Sequence, residues 1–557
     1  MTDRKRLTWT IAPALVGALA FAQGCIGNIG GDPDADLPGA GPLSCGGETT
    51  TVEIVPLRRL SADQYRNTIR DLLGDPALEF VLDDVEGPIT ELAVRQIRDA
   101  AEIAVSRRDA WGVDVFPCDV AGPADDACVD TFIDTFAARA FRRPLTDDER
   151  AWLRGIYDEV SLDATFEESM QTVLQVILAA PSTLYLYEAG AGDEVAGMRR
   201  LDGFELASRL SYFLWGTMPD EALLTAAAEG RLDTAEGIAA EAKRMLEDPR
   251  SEAQVVAFFS RWLQLDGGTL HHALEDAEKD PSLFPDYDAA LQAAMRTEIE
   301  AFVKRTFFEE DARFDQLFTG TYAYVNGPLA DLYGVSGVSG DDFEWVDLDE
   351  SERAGLFTRA GFLTVYASSD VTAPIRRGAW VLKDALCVDL GEPPANVDDT
   401  PIEGGDNGNG DILTVREDVA ARTAGSDCMA CHQLINPLGF TFESYDAIGR
   451  FQTEEVTSGE PIVANTVIAG TDFDGPVAGA VELSQEMSES EKVRACFARK
   501  WTDAAFGVEG HDHVQLDSCS KQTIEDRFAE TGDMKELLIG ILQSNAFRFI
   551  NTSEESK

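Results

Sequence analysis

Positive charge is scarce in this chain. Its 557 residues hold 46 lysines and arginines against 100 aspartates and glutamates, a formal net charge of −54. So acidic a surface repels phosphate backbones, which excludes nucleic acid as a partner. Histidine is rarer still, at five residues, and cysteine stands at nine, so any cluster of the two is informative. Beyond the N-terminus no apolar run reaches the roughly 20 residues of a transmembrane helix. There is no Ser-His-Asp arrangement, no phosphate-cradling glycine loop and no tandem repeat. Pairs of carboxylates carry no signal where acidic residues are this common. Whether the chain is an enzyme is left open by these absences. The hydrophobic fraction, 44%, is ordinary for a globular protein, and the length calls for several compact units.

The N-terminus reads as a targeting segment. Arg4, Lys5 and Arg6 precede an apolar stretch from Leu7 to Phe21, too short to span a bilayer. Ala22 and Gly24 stand directly before Cys25, a pattern that resembles a bacterial lipobox. The resemblance implies cleavage before Cys25, lipidation of its sulfur, and an anchor of two or more acyl chains. Ile26 follows the cysteine where Asp does not, which by analogy points to the outer membrane or cell surface. The alternative is an ordinary signal peptide cut nearby. Residues 25–50, rich in Gly, Pro and Asp, read as a flexible tether.

Helical signals dominate from Leu57 onward. In "LRRLSADQYRNTIRDLLGD", Ser61 is an N-cap candidate, Tyr65, Ile69 and Leu72 recur at helical spacing, and Gly74 stops the helix. "RAFRRPLTDDERAWLRGIYDEV" breaks at Pro144, with Thr146 and Glu149 at capping-box spacing. Amphipathic helices follow in "FEESMQTVLQVILAAPSTLY", "LDGFELASRLSYFLWG", "EAQVVAFFSRWLQL" and "DAALQAAMRTEIEAFVKRTFF". Period-two alternation is scarce before residue 320, and the aromatic residues at helical spacing read as core. "TYAYVNGPLADLYG" predicts a short strand, a turn and a helix. "GEPPANVDDTPIEGGDNGNGD" is a long loop whose Asp406, Asn407, Asn409 and Asp411 invite a calcium reading. Ile412, however, stands where an EF-hand loop begun at Asn407 needs glycine. The C-terminal region turns helical again.

One short motif carries chemistry. "SDCMACHQLINPLGF" places Cys428, Cys431 and His432 as C-x-x-C-H. Composition alone supplies that pattern about 0.001 times in a chain of this length. Two thiols three residues apart on one helical turn can add to the vinyl groups of a haem. The adjacent His432 then supplies an axial nitrogen to the iron. A zinc site needs four ligands, and here His511, His513, Cys496 or Cys519 would have to complete it. A redox disulfide expects a βαβ setting, which is absent. Met487 is a candidate sixth iron ligand, with a core methionine as the competing reading. His511 and His513 are further candidates, and a five-coordinate iron is the remaining option. His271 and His272 read as surface residues. The carbonyl of Pro437 is a candidate acceptor for the His432 ring N–H. Arg416, Arg422 and Arg450 are candidates to pair with haem propionates.

Haem on Cys428 and Cys431 and lipid on Cys25 leave six cysteines, an even number. Cys118 and Cys128 flank a turn-rich stretch and form the first expected disulfide. Cys496 with Cys519 is the second, and Cys45 with Cys387 follows by elimination.

Several stretches, in order, resemble a single family. They are "PLRRLSADQYRNTIRDLLG", "RAFRRPLTDDE", "ELASRLSYFLWGTMPDEALL", "YVNGPLADLYG", "CMACHQLINPLGFTFESYDAIGRF", "ACFARKWTDAAFGVE" and "LLIGILQSNAFRF". Together they are similar to the secreted multidomain proteins of planctomycetes and myxobacteria. Those are built from domains of unknown function 1587, 1595, 1592, 1588 and 1585 around a cytochrome-c-like module. The resemblance implies haem on Cys428 and Cys431 with His432 as ligand. It departs at Asn436, where members often carry Asp, and at Arg422, where many carry His. The carbohydrate-binding insert of some relatives is missing.

The expected fold is mainly α: several helical domains plus a c-type-cytochrome-like module with long loops. Residues 1–24 are the signal peptide and 25–50 the tether. Helical domains are expected over 51–110, 111–195 and 196–335, the C-x-x-C-H module over 336–475, and a last helical domain over 476–557. The expected function is that of a lipid-anchored extracytoplasmic c-type haem protein. It would transfer electrons to a redox partner, or serve an oxidoreductase acting on an extracellular substrate. The alternatives are a structural or polymer-binding surface lipoprotein with a vestigial haem site, and a zinc role for the motif.

Overall fold

Helix starts follow the capping chemistry of the sequence. The Ser61 side chain accepts from the Gln64 N–H at 3.1 Å, and the Gln64 side chain accepts from the Ser61 N–H at 3.2 Å. That reciprocal pair opens α1 (Ala62–Leu73), which buries Tyr65, Ile69 and Leu72 and ends at Gly74 with a φ of 66°. Thr146 and Glu149 form the same box. The computed structural model describes residues 58–83, 90–195, 198–268, 271–391, 413–456, 458–508, 514 and 516–551. The expected signal peptide, the tether, Cys25, Cys45, the Asp406–Asp411 loop, His511 and His513 lie outside them.

The architecture is mainly α. After α1 come α2 (Glu91–Ser106), α3 (Asp147–Val160) and α4 (Phe166–Leu178). Next are α5 (Gly203–Leu214), α6 (Ala235–Leu246), α7 (Arg250–Trp262) and α8 (Ala289–Lys304). Then come α9 (Pro374–Trp380), widening into a π-turn over Val381–Ala385, α10 (Val415–Arg422) and α11 (Ser426–Phe440). The chain closes with α12 (Ala480–Glu489), α13 (Glu491–Phe506), α14 (Ser518–Thr531) and α15 (Met534–Gln543). Among the described residues no helix is long and apolar enough to cross a membrane.

Among the described residues, sheet is confined to small antiparallel pairings. β1 (Arg58–Arg59) pairs β2 (Tyr185–Leu186), and β3 (Ala191–Val195) pairs β4 (Met198–Arg200). β5 (Tyr322–Val325) pairs β6 (Glu344–Asp347), and β7 (Thr466–Ile468) pairs β8 (Gly475–Val477). β9 (Phe549–Asn551) runs beside β4 and brings the end of the chain back to residue 198. The strand expected in "TYAYV" is β5.

One apolar core gathers α1 to α4, with Tyr212 of α5 and Met218 added. A second, larger core extends from Met198 to Phe549. Its centre is aromatic: Phe258 stacks on Trp501 at 3.5 Å, and Trp262 packs on Trp380 and Phe497. The aromatic residues at helical spacing are therefore core, as their periodicity implies.

α9 packs along α11 with the two backbones in contact. A Cβ on Gly378 would overlap the carbonyl oxygen of Ile435, and one on Gly439 would overlap that of Pro374. Only glycine permits this approach. Arg377 of α9, fully buried, donates from Nη1 to the carbonyls of Phe442 and Tyr445, just past α11, and from Nη2 to those of Leu363 and Asp446.

The Cys118–Cys128 disulfide forms as its spacing suggests. The expected Cys496–Cys519 and Cys45–Cys387 pairings do not. Cys496 bonds Cys387, with Cα atoms 5.4 Å apart. The Cys496 side chain, midway along α13, faces the end of the α9 segment, where its sulfur lies 3.6 Å from the Asp384 carbonyl. Lys500, one helical turn later, pairs with the Asp384 carboxylate at 2.8 Å. Tertiary packing thus outweighs closeness in sequence. Cys519 is disulfide-bonded as well, but not to Cys496.

Two outcomes are expected. Replacing Cys387 and Cys496 with serine removes a link across 109 residues, worth about 4–5 kcal/mol in the loop-entropy model. The 10-residue Cys118–Cys128 link is worth about 2–3 kcal/mol in the same model. Thermal unfolding should therefore show the larger drop for the first pair. Gly439→Ala should destabilise by about 3 kcal/mol or more in denaturant titration, because backbone must move. Gly155→Ala, in open space on α3, should instead stabilise by about 0.5–1 kcal/mol.

Candidate functional site

α11 begins in solvent and ends in the core. Gly425 precedes it, and the Cys428 N–H bonds the Gly425 carbonyl at 3.1 Å. Residues 424–430 are exposed, Cys431 and His432 are half-buried, and Ile435, Asn436 and Leu438 to Phe440 are buried. Cys428, Cys431 and His432 stand at i, i+3 and i+4, so one helix face carries all three. Both cysteines are free thiols. The Cys431 sulfur approaches the Leu390 carbonyl at 3.9 Å.

His432 has one ring nitrogen engaged. Its Nδ1 lies 2.9 Å from Asn436 Oδ1. Asn436 Nδ2 donates to Thr423 Oγ1 at 2.8 Å, and the Thr423 hydroxyl donates to the Val419 carbonyl at 2.7 Å. The partner expected from the sequence was the carbonyl of Pro437. Asn436 takes that place because it stands four residues after His432, on the same helix face, whereas Pro437 is rotated a further ~100°. Thr423, thirteen residues before Asn436 and at the end of α10, escaped the sequence reading, since nothing local marks it.

The donor set suits a covalently attached haem. Two free thiols sit one helical turn apart, Cys428 exposed and Cys431 half-buried, and the adjacent imidazole has Nε2 without a partner among the described residues. The described residues serve zinc less well. Among the described residues no three His, Cys, Asp or Glu side chains gather as metal ligands. Cys496 and Cys519, two of the residues needed to complete a zinc site, are committed to disulfides. The sequence candidates for a sixth ligand part ways: Met487 lies 1% exposed in the larger core on α12, and His511 and His513 lie outside the described residues. His272 is exposed, while His271 is half-buried with its ring 4.6 Å from that of Tyr366.

Two of the three candidate propionate partners, Arg416 and Arg422, have their side chains engaged elsewhere. Arg416 lays its guanidinium 4.5 Å from the Phe440 ring and donates to the carbonyls of Val463 and Asn465. Arg422 pairs with Asp418 at 2.9 Å. The backbone N–H of exposed Arg450 donates to Asp446 Oδ1.

Just beyond α11 lies a buried charged cluster that the sequence reading missed. Glu443, 3% exposed, accepts from the Thr372 hydroxyl at 3.1 Å through Oε2. Its Oε1 has no hydrogen-bond partner among the described residues. Burial pushes the Glu443 carboxyl up to about 7, against the pull of Arg377 and the Thr372 hydrogen bond. Burial likewise raises Asp446. Lys279 reaches in with its head buried and its stem half-exposed, donating to the carbonyls of Thr364 and Ser368. Burial, then the charge of Arg377, brings its ammonium down to about 7. The signal for this cluster is "FESYD", acidic residues between aromatic ones, directly after the motif helix.

The chain matches four family models in succession, each described as a protein of unknown function. These are DUF1595 over residues 128–188, DUF1592 over 201–335, DUF1588 over 353–455 and DUF1585 over 473–547. Cys428, Cys431 and His432 fall in the third. No curated protein and no solved structure matches the chain.

Glu443 gives this region a pH signature. Its native carboxyl titrates near 7 against an ordinary 4.5, so the native state holds the proton more tightly. Stability from this group is therefore full below about pH 4.5 and is lost as pH rises through 7, by on the order of 3 kcal/mol. Lys279 acts in a separate window, above pH 7. Glu443→Gln should thus gain stability relative to the parent as pH goes from 5 to 7.5 in denaturant titrations. A difference that stays constant with pH contradicts the assignment.

Proposed function

Because the chain belongs to the family built from these four consecutive domains, whose descriptions assign no activity, we propose its function from the site itself. It is an extracytoplasmic c-type haem protein that passes single electrons, alone or as part of an oxidoreductase acting on an extracellular substrate. Cys428 and Cys431 hold the haem through thioether bonds, and His432 Nε2 is the protein's ligand to iron. The bound group supplies a one-electron couple.

One observation carries this reading. Cys118, Cys128, Cys387, Cys496 and Cys519 are all in disulfides, and of the described cysteines only Cys428 and Cys431 remain thiols. Disulfides persist in an oxidising compartment. Two thiols one helical turn apart there call for chemistry that consumes them, and thioether formation does so. The rest of the chain supports the role. The buried half of α11, held against α9, fixes the direction of His432. The exposed first turn leaves Cys428 open to a haem and to a redox partner, with Cys431 half-buried one turn on. Cys25, as the lipidated residue, would anchor the protein through its lipid at the outer membrane or cell surface.

The test is a pyridine haemochrome spectrum of protein made with c-type maturation machinery. A c-type spectrum is expected, and Cys428→Ala should shift it toward a single-thioether form or abolish it. Colourless protein from cells that mature other c-type cytochromes would leave a tethered surface protein in its place.

A further inference from the structure

We propose that Thr423 and Asn436 are positioning residues that lock His432 as its Nδ1–H tautomer, so that Nε2 faces outward as a bare lone pair. The purpose of this lock rests on the haem reading. Its direction rests on hydrogen-bond geometry alone.

The logic runs from the backbone outward. A carbonyl oxygen only accepts, so the 2.7 Å bond to Val419 takes the single proton of the Thr423 hydroxyl. Thr423 Oγ1 can then only accept from Asn436, 2.8 Å away, and Asn436 must present its NH2 there. Turned over, the amide would set its carbonyl oxygen against a hydroxyl lone pair. Asn436 Oδ1 is thereby aimed at His432, and at 2.9 Å it can only accept. Nδ1 therefore carries the proton. A neutral imidazole has one N–H, so Nε2 is the lone-pair nitrogen.

Burial makes the chain of bonds hold. Thr423 and Asn436 are 5% and 7% exposed, so water does not readily replace either partner. The relay ends on a main-chain carbonyl of α10, which cannot reverse its role. It also works against intrinsic preference, because free histidine in water favours the Nε2–H form. An amide oxygen orients the ring without placing a full negative charge beside it. A carboxylate at 436 would make the imidazole a stronger electron donor and favour oxidised iron.

The first test needs no haem. The full chain, labelled with 15N-histidine and held at a pH where His432 is neutral, is examined by long-range 1H–15N NMR, with His432→Gln to identify the signals. The expected pattern is a protonated Nδ1 and an unprotonated Nε2. Thr423→Val keeps the side-chain shape but frees the amide to turn, and should move the population toward Nε2–H. Thr423→Ser should restore the parent pattern. A parent protein already in the Nε2–H form, or a Thr423→Val variant unchanged from it, overturns the lock. In haem-loaded protein, Asn436→Asp should lower the midpoint potential while far-UV circular dichroism stays the same, and an unchanged potential overturns the electronic part. Protein that takes up no haem sinks the proposed function and leaves the NMR result standing, so the two failures are distinguishable.

Discussion

The contact on which the site depends is backbone against backbone. Gly378 lies on the carbonyl of Ile435, and Gly439 on that of Pro374, so α9 and α11 meet without side chains between them. Arg377 of α9 is fully enclosed beside this contact, with the Glu443 and Asp446 carboxyls near it but no carboxylate among the described residues bonded to it. Its charge is solvated by the carbonyls of Leu363, Phe442, Tyr445 and Asp446. Main-chain dipoles stand in for water, and the price is a guanidinium brought down to about 10 by desolvation. In return the turn after α11 has one position, and with it Glu443 and the C-terminal anchor of the helix that carries Cys428, Cys431 and His432.

The same device recurs in a chain whose surface is overwhelmingly acidic. Arg353 is fully buried and donates to the carbonyls of Thr358 and Gly449. Arg359 is also fully enclosed, bonded to the carbonyls of Gly320 and Tyr322 and paired at 2.9 Å with the equally buried Glu298. Tyr333 completes that pair by donating to Glu298 at 2.6 Å. Removing one partner of such a pair leaves an uncompensated buried charge, which is far worse than never having built it. The chain has only 46 lysines and arginines, and six of the described arginines, Arg353, Arg359 and Arg377 with Arg142, Arg209 and Arg548, are buried.

What could be read from sequence divides by distance along the chain. Ser61 with Gln64 and Thr146 with Glu149 are pairs three residues apart, and capping chemistry is local, so those helix starts were legible. Cys118 and Cys128, ten apart around a turn, were legible for the same reason. The shared face of Cys428, Cys431 and His432 followed from helical spacing. Cys387 and Cys496 are 109 residues apart, and only the packing of α13 on the end of α9 brings them together. Thr423 belongs to one helix and Asn436 to the next, so no periodicity links them. Glu443 reads as one more acidic residue among 100 until its burial is known.

The cysteines bind these observations into one argument about the site. The Cys387–Cys496 disulfide fixes the segment that leaves α9, and three residues later the Leu390 carbonyl comes within 3.9 Å of the Cys431 sulfur. The structural disulfide and the free thiols are thus neighbours and share one redox environment. Conditions that close the first pair threaten the second, because exposed thiols oxidise or exchange with disulfides. A free Cys428 on a solvent-facing helical turn beside a structural disulfide is a hazard to correct pairing. Conversion of both thiols to thioethers, as the proposed haem attachment requires, would end that hazard and leave Cys387–Cys496 as the sulfur–sulfur link near the motif among the described residues. On that proposal, protection of the fold and attachment of the haem would be met by the same two bonds.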